Sequence, residues 1–370
     1  MVLKFGLVGC GRIAKRHSDL LGRGQIEGAA LGAVCDTRYE RAKAMGDVFG
    51  VPAFDNLHDM MQQCALDAVS VLTPSGMHAE NVLALAPYGK DIVVEKPMAL
   101  RLEDADAMIQ ACEKHGTRLF VVKQNRFNVP VVKLRDALDA GRFGKLFLGT
   151  VRVRWCRTPS YYQADSWRGT WELDGGVLTN QASHHIDLLE WMMGDIESVF
   201  AKSITALAPV ETEDTAIATL KFKSGALGLI EATTAARPKD LEGSISVLGE
   251  HGTVEIGGFA VNELKVWNFV EAGPEDSEML SKYSVNPPNV YGFGHQAYYE
   301  HVVECITGKG RILVDGEEGR RSLELITAIY ESIETGKEVV FPVDPRKCRL
   351  GKRSVERSQK APHAEDSVQR

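Results

Sequence analysis

Three short stretches of this chain carry residue types and spacings that can do chemistry. Glu95-Lys96-Pro97 closes an apolar run, and the proline restricts Lys96 to an extended backbone, which fixes where its ammonium points. Taken alone, the tripeptide reads more simply as a solvated ion pair beside a proline. The second stretch runs from Gly175 to Asp187 and places Asn180, His184 and Asp187 at i, i+4 and i+7. On a helix these three share one face, while His185, about 100° further round, serves another purpose. A helix histidine is commonly a satisfied core residue, and no His-Glu-x-x-His spacing is present, so no metal is expected.

The third stretch is Gly9-Cys10-Gly11-Arg12-Ile13-Ala14, between an apolar strand and a helix-like segment. The first glycine permits a tight turn and the second lets the backbone approach a pyrophosphate. The small residue at position 14 allows close helix–strand packing. The N–H groups and dipole of the helix start, with Arg12 and Ile13, then face the phosphates. Asp36 ends the next strand, where a carboxylate binds ribose hydroxyls. With Thr37 it favours NAD, because its charge repels a 2′-phosphate; Arg38 weakens that preference and leaves NADP as the lesser alternative. Thr73, Pro74, Ser75 and His78 follow a further strand at the same carboxyl edge, where ligands of open α/β sheets sit. The plainer reading there is a turn with Ser75 capping a helix. An ammonium fixed at Lys96, beside a positively charged nicotinamide, can orient a hydroxyl and lower a neighbour's pKa.

The elements that must position these residues follow from periodicity. Strand-like runs at Val2–Val8, Ala30–Cys35, Ala68–Leu72, Asp91–Val94 and Arg118–Val122 alternate with helical stretches near 12–21, 38–49, 77–87 and 103–115. That alternation predicts a doubly wound parallel Rossmann sheet over residues 1–123. From 124 to 342 the texture changes. Strands are expected near 146–155, 198–207, 214–222, 226–234, 243–248, 252–256 and 263–270, with helices near 130–140, 180–193, 294–307 and 317–335. This is an α+β domain with an open, mostly antiparallel sheet. Residues 343–370 form a basic segment with too little apolar surface to order itself, and are expected to be a flexible tail.

The chain has 370 residues and a net charge of −7. That charge argues against nucleic acid or an anionic membrane surface as partner, and no apolar run reaches the length of a membrane span. It does not exclude an anionic small molecule, which local groups can hold. Seven cysteines without a Cys-x-x-Cys pair, and an N-terminus without a signal-peptide layout, point to a reduced, cytoplasmic protein.

Gly-x-Gly-x-x-Ala, Glu-Lys-Pro and Gly-Gly-x7-His-x-x-Asp, in this order, resemble the Gfo/Idh/MocA oxidoreductases over residues 1–342. Val122–Arg126, Trp167–Trp171, Asn180–His184 and Val290–His295 are similar to one branch, the WlbA/WbpB group of UDP-N-acetylglucosaminuronate 3-dehydrogenases of bacterial surface-polysaccharide synthesis. This branch also carries Asn at the position of Asn180, where the wider family has Asp. A neutral amide there leaves His184 more easily unprotonated. The resemblance implies Lys96, His184 and Asn180 as catalytic residues, with His184 the base and Lys96 the alternative base. It adds Glu95, Gln124, Trp167 and Arg168 to the cofactor contacts. Lys123, Arg126, Arg157, Tyr161, Tyr162 and Arg168 become candidates for holding carboxylate and pyrophosphate. Tyr291 and His295 either border the sugar or cap a helix. A UDP-sugar acid as substrate, 2-oxoglutarate as reoxidant and a homodimer or homotetramer are further implications. Two alternatives stand beside this: a 3-dehydrogenase of another sugar, inositol or glycoside, and an NAD-sensing regulator without chemistry.

Overall fold

The computed structural model describes residues 2–285 and 292–353. Six strands form the first sheet: β1 (Leu3–Val8), β2 (Ala29–Cys35), β3 (Ala53–Phe54), β4 (Ala68–Val71), β5 (Asp91–Val94) and β6 (Leu119–Val121). All pairs are parallel, in the order β3-β2-β1-β4-β5-β6. The order reverses between β1 and β4, so their carboxyl ends open a crevice, the position where such sheets bind dinucleotides. The strands are apolar on both faces because helices cover both. The helices His78–Leu85 and Leu102–Lys114 pack on one side, and Ala14–Gly22 on the other.

The second sheet has eight strands: β7 (Leu146–Arg154), β8 (Ile196–Ile204), β9 (Thr215–Phe222), β10 (Leu227–Thr233), β11 (Glu242–Gly249), β12 (Gly252–Gly257), β13 (Glu263–Phe269) and β14 (Val339–Val340). Their order is β13-β12-β11-β7-β10-β9-β8-β14. Every pair is antiparallel except β7 with β10. The strict alternation along β9 and β10 buries one face, against the helices Ser183–Met193 and Gly316–Thr335, and leaves the other open.

Three departures from the sequence reading have clear causes. The helix Gly294–Ile306, expected with the second domain, packs in the Rossmann core. Its Tyr298, Tyr299 and Val302 join Phe5, Leu7 and Leu20, and Tyr299 meets Phe5 edge-on with centroids 5.6 Å apart. The tail does not begin at 343. Cys348 and Leu350 are buried, the Cys348 N–H donates to Glu331, and the Gly351 N–H donates to the Trp171 carbonyl. Two apolar side chains and a few main-chain bonds suffice to dock a segment that is otherwise polar and charged. Short elements (β3, β14 and the helices Leu57–Gln63, Pro159–Gln163 and Asp276–Lys282) carry too few residues for a period to show.

Candidate active site

The crevice at the carboxyl edge of the first sheet continues against the second domain as one cleft of about 1800 Å³. On the Rossmann side the turn after β1 forms its floor. Gly9 has φ +97°, and a Cβ there would lie 2.8 Å from the Leu72 carbonyl, so both conformation and close packing require glycine. A Cβ on Gly11 would meet nothing within 4 Å; the backbone there faces open space that a pyrophosphate fits. No side chain caps the helix Ala14–Gly22, which leaves its first N–H groups for an anion. Asp36 accepts from the Cys10 and Arg38 N–H groups at 2.8 Å each, and its carboxylate borders the cleft beside Thr37, Arg38 and Arg41. Thr73, Pro74 and Ser75 form the next part of the wall. Ser75 makes no capping bond to the helix that follows. His78 is buried with Nδ1 2.8 Å from the Pro97 carbonyl and Nε2 2.9 Å from that of Thr73, and burial holds its pKa down. These groups fit a dinucleotide.

At the meeting of the two domains lie Lys96 and His184. Lys96 lies two residues past β5 and has a cis peptide to Pro97. Its Nζ donates to the Asn180 main-chain carbonyl at 2.6 Å. Burial pushes its pKa down to about 8, against the opposing charges of Glu95 and Asp174. His184, in the first turn of the helix Ser183–Met193, accepts from the Gln124 amide at 2.9 Å between nitrogens. Burial, with Lys96 and Lys123 nearby, holds it well below the usual histidine value. It is therefore neutral, and the chief cause is desolvation rather than the missing aspartate at 180. Asn180 precedes the helix instead of lying on it, so the i, i+4, i+7 face is not formed as such. Both Asn180 and His184 border the cleft.

Glu95 anchors a buried chain of hydrogen bonds. It accepts from His17 Nε2 and from the Lys96 N–H, each at 2.9 Å. His17 Nδ1 lies 2.7 Å from the Tyr299 hydroxyl, which is 2.9 Å from that of Ser70. His295 borders the cleft with Nε2 3.8 Å from Glu95. Burial opposes ionisation of Glu95, yet the two histidines hold it well below the usual range. His17, Glu95 and His295 bring one donor atom each within 4.8 Å, a cluster that spacing in sequence did not reveal. Tyr291 lies outside the described residues.

Arg12, Arg157 and Arg168 stand 5.2, 5.5 and 4.5 Å from the Tyr161 ring, and the Tyr161 hydroxyl accepts from Arg168 at 2.8 Å. With Trp167 and Lys239 they form one wall of the cleft, on which Arg157 pairs with Asp240 at 2.9 Å and Arg168 with Asp165 at 3.2 Å. Four expected contacts are absent from it. Lys123 and Arg126 are 3% exposed and turn inward to Asp187. Arg126 makes two bonds of 2.8 Å to that carboxylate and lies over Trp191, and Lys123 donates to Ser322 at 2.6 Å. Their charges are consumed by a partner three positions after His184, so they are no substrate anchors. Gln124 stands on His184 rather than on the cofactor wall. The Tyr162 hydroxyl lies 2.9 Å from that of Thr234, and its ring packs on Tyr161. Conversely, Asp174, buried behind Asn180, was not foreseen: an acid before a glycine pair reads as an ordinary turn.

A dinucleotide crevice, a buried lysine and a neutral histidine on one cleft define an NAD-dependent oxidoreductase of hydroxyl groups. Residues 3–123 match the oxidoreductase family's NAD-binding Rossmann fold, and residues 135–341 its C-terminal alpha/beta domain. The chain belongs to the Gfo/Idh/MocA oxidoreductase family. It is similar to the WlbA dehydrogenase of Bordetella pertussis, solved with NADH and UDP-GlcNAcA: 43% identity, 93% of this chain and 100% of that one, TM-score 0.85. The WlbA dehydrogenase of Chromobacterium violaceum, solved with the same pair, is 42% identical over 93% of this chain and 97% of its own, with TM-score 0.87. Myo-inositol 2-dehydrogenase of Thermotoga maritima is 29% identical, over 91% of this chain and 98% of its own length.

Proposed function

We propose that this protein oxidises the 3′-hydroxyl of UDP-N-acetylglucosaminuronic acid to the 3-keto sugar, within bacterial surface-polysaccharide synthesis. The observation that carries the reading is the likeness, over 93% of the chain and at 42–43% identity, to two dehydrogenases holding NADH and UDP-GlcNAcA. Gly9, Gly11, Arg12, Asp36 and the Thr73–Ser75 wall hold the dinucleotide. NAD, when bound, supplies the hydride acceptor.

His184, neutral by burial, takes the hydroxyl proton at Nε2 once the sugar hydroxyl replaces the Gln124 N–H there. Lys96, charged below about pH 8, donates a hydrogen bond to the same oxygen and favours its alkoxide character. Asn180 orients the sugar. The wall of Arg12, Arg157 and Arg168 suits a diphosphate and a carboxylate, because guanidinium groups pair with both in bidentate fashion, with Arg157 and Arg168 exchanging Asp240 and Asp165 for the ligand. 2-Oxoglutarate, a dicarboxylate, fits the same wall as a reoxidant. The open face of the second sheet, with Phe200, Ile217, Leu227 and Leu229 exposed, suits a homo-oligomer. Seven free cysteines suit the reducing cytoplasm. Among the described residues no helix is long and apolar enough to cross a membrane.

The second reading, a polyol or inositol dehydrogenase, is favoured by the likeness to the Thermotoga enzyme. A panel of UDP-N-acetylglucosaminuronic acid, the unlinked sugar acid, myo-inositol and a simple glucoside, each with NAD⁺, separates the two. NADH formation or 2-oxoglutarate-dependent turnover with the UDP-linked acid alone supports the first reading. Turnover of myo-inositol without any of the UDP-linked acid contradicts it.

A further inference from the structure

The second-domain wall hides an acid that no step above uses. Asp174 is 2% exposed. Its Oδ2 accepts from the Gly169 N–H at 2.7 Å, and its Oδ1 accepts from Asn180 Nδ2 at 2.5 Å. A carboxylate has no proton to give, so only one orientation of the Asn180 amide is compatible with this contact: nitrogen toward Asp174, oxygen away. Asn180 borders the cleft, and its main-chain carbonyl already holds the Lys96 ammonium. One residue thus carries the ammonium on its backbone and a free acceptor oxygen on its side chain, and Asp174 decides which end of the amide meets the ligand.

We propose that Asp174 is a positioning residue for the hydroxyl oxidation: it locks the Asn180 amide with its oxygen toward the substrate, so the site recognises a sugar by a hydroxyl that donates at that point. The inference rests on the catalytic reading of this cleft. An amide without the lock has two orientations of equal shape. In one of them an N–H donor meets the substrate's own donor.

The groups facing Asp174 are the Gly169 N–H and the Asn180 amide, with Arg168 and Lys96 as positive neighbours and Glu213 and Tyr162 as further titratable ones. Burial pushes its pKa up to about 6, against those hydrogen bonds and charges. Protonation puts a donor where the Asn180 N–H points, and the lock is lost. The expected profile of kcat/KM therefore falls as pH drops through about 6.

The test is a double-mutant cycle on the holoenzyme with NAD⁺ and UDP-N-acetylglucosaminuronic acid, using Asp174→Asn, Asn180→Ala and the pair. Each single change is expected to lower kcat/KM about tenfold or more, with NADH affinity within about twofold. The pair should be no worse than Asn180→Ala, because Asp174 acts through Asn180. Losses that multiply, or Asp174→Asn within about twofold of the parent, overturn the proposal. If Asp174→Asn does not fold, pH profiles of the parent and Asn180→Ala decide: the limb near pH 6 must vanish in Asn180→Ala, and its persistence overturns the proposal. An inactive parent overturns the substrate reading instead; the same cycle is then run on the sugar or inositol that is turned over, under the same criteria.

Discussion

The two walls of the cleft are built from different materials. On the Rossmann side the groups proposed to meet the cofactor are largely main chain: the turn at Gly9–Gly11, an uncapped helix start, and Asp36 held by two backbone N–H groups. On the second-domain side nearly every polar group is a side chain held by another side chain. Asn180 is held by Asp174, His184 by Gln124, and Tyr161 by Arg168. Main-chain geometry tolerates many side chains and serves any dinucleotide. Side-chain networks fix one arrangement of donors and acceptors, and they decide which sugar is oxidised and where.

That division predicts unequal consequences for mutations on the two sides. The largest effect is expected at the meeting point. Lys96→Met and His184→Asn should each lower kcat about 10²–10⁴-fold while NADH affinity, measured by fluorescence titration, stays unchanged. A parallel loss of NADH affinity would merge the two walls into one function. Next comes Gly11→Val on the Rossmann side. Its side chain enters empty space, so thermal stability without cofactor should hold while NAD⁺ affinity falls about tenfold or more, as for overpacking of about 1–3 kcal/mol. An unchanged affinity would show that the pyrophosphate lies elsewhere.

pH offers a milder perturbation. Lys96 is an ammonium below about pH 8 and loses its charge above, so kcat/KM should decline as pH rises through that value. A rise instead would make Lys96 the base. The smallest effect on chemistry is expected at Arg126. Arg126→Leu breaks a buried pair with Asp187 and should destabilise the fold by about 3 kcal/mol. The specific activity of the folded fraction, assayed beside a denaturant melt, should remain within about twofold.

Legibility in the sequence follows the same line. The Rossmann side could be read because strand, glycines, helix and terminal acid lie within one local stretch. Lys96 and Lys123 show where reading stops. Both follow parallel strands at the same sheet edge, yet Lys96 turns to a cleft-lining carbonyl and Lys123 to Ser322, 199 positions away. Pro97 marks the backbone of Lys96, but nothing local shows that the Lys123 ammonium turns inward. The helix Gly294–Ile306 is similar: its pattern predicts a helix, while its docking beside β1 depends on Tyr298 and Tyr299 meeting residues from the other end of the chain. The role of Gln124 was hidden for the same reason, since it is defined by His184, 60 positions away; that of Asp174 was hidden because its partner Asn180 meets it through a turn that shows no period.

The proposed reaction stands or falls on which carbon of the sugar is oxidised. The purified protein is incubated with NAD⁺, 2-oxoglutarate and UDP-N-acetylglucosaminuronic acid, and the product is followed by mass spectrometry and carbon NMR. Loss of two hydrogens and a carbonyl at C3′ are expected, both absent with Lys96→Met. An unchanged sugar, or a carbonyl at C4′, would refute the assignment.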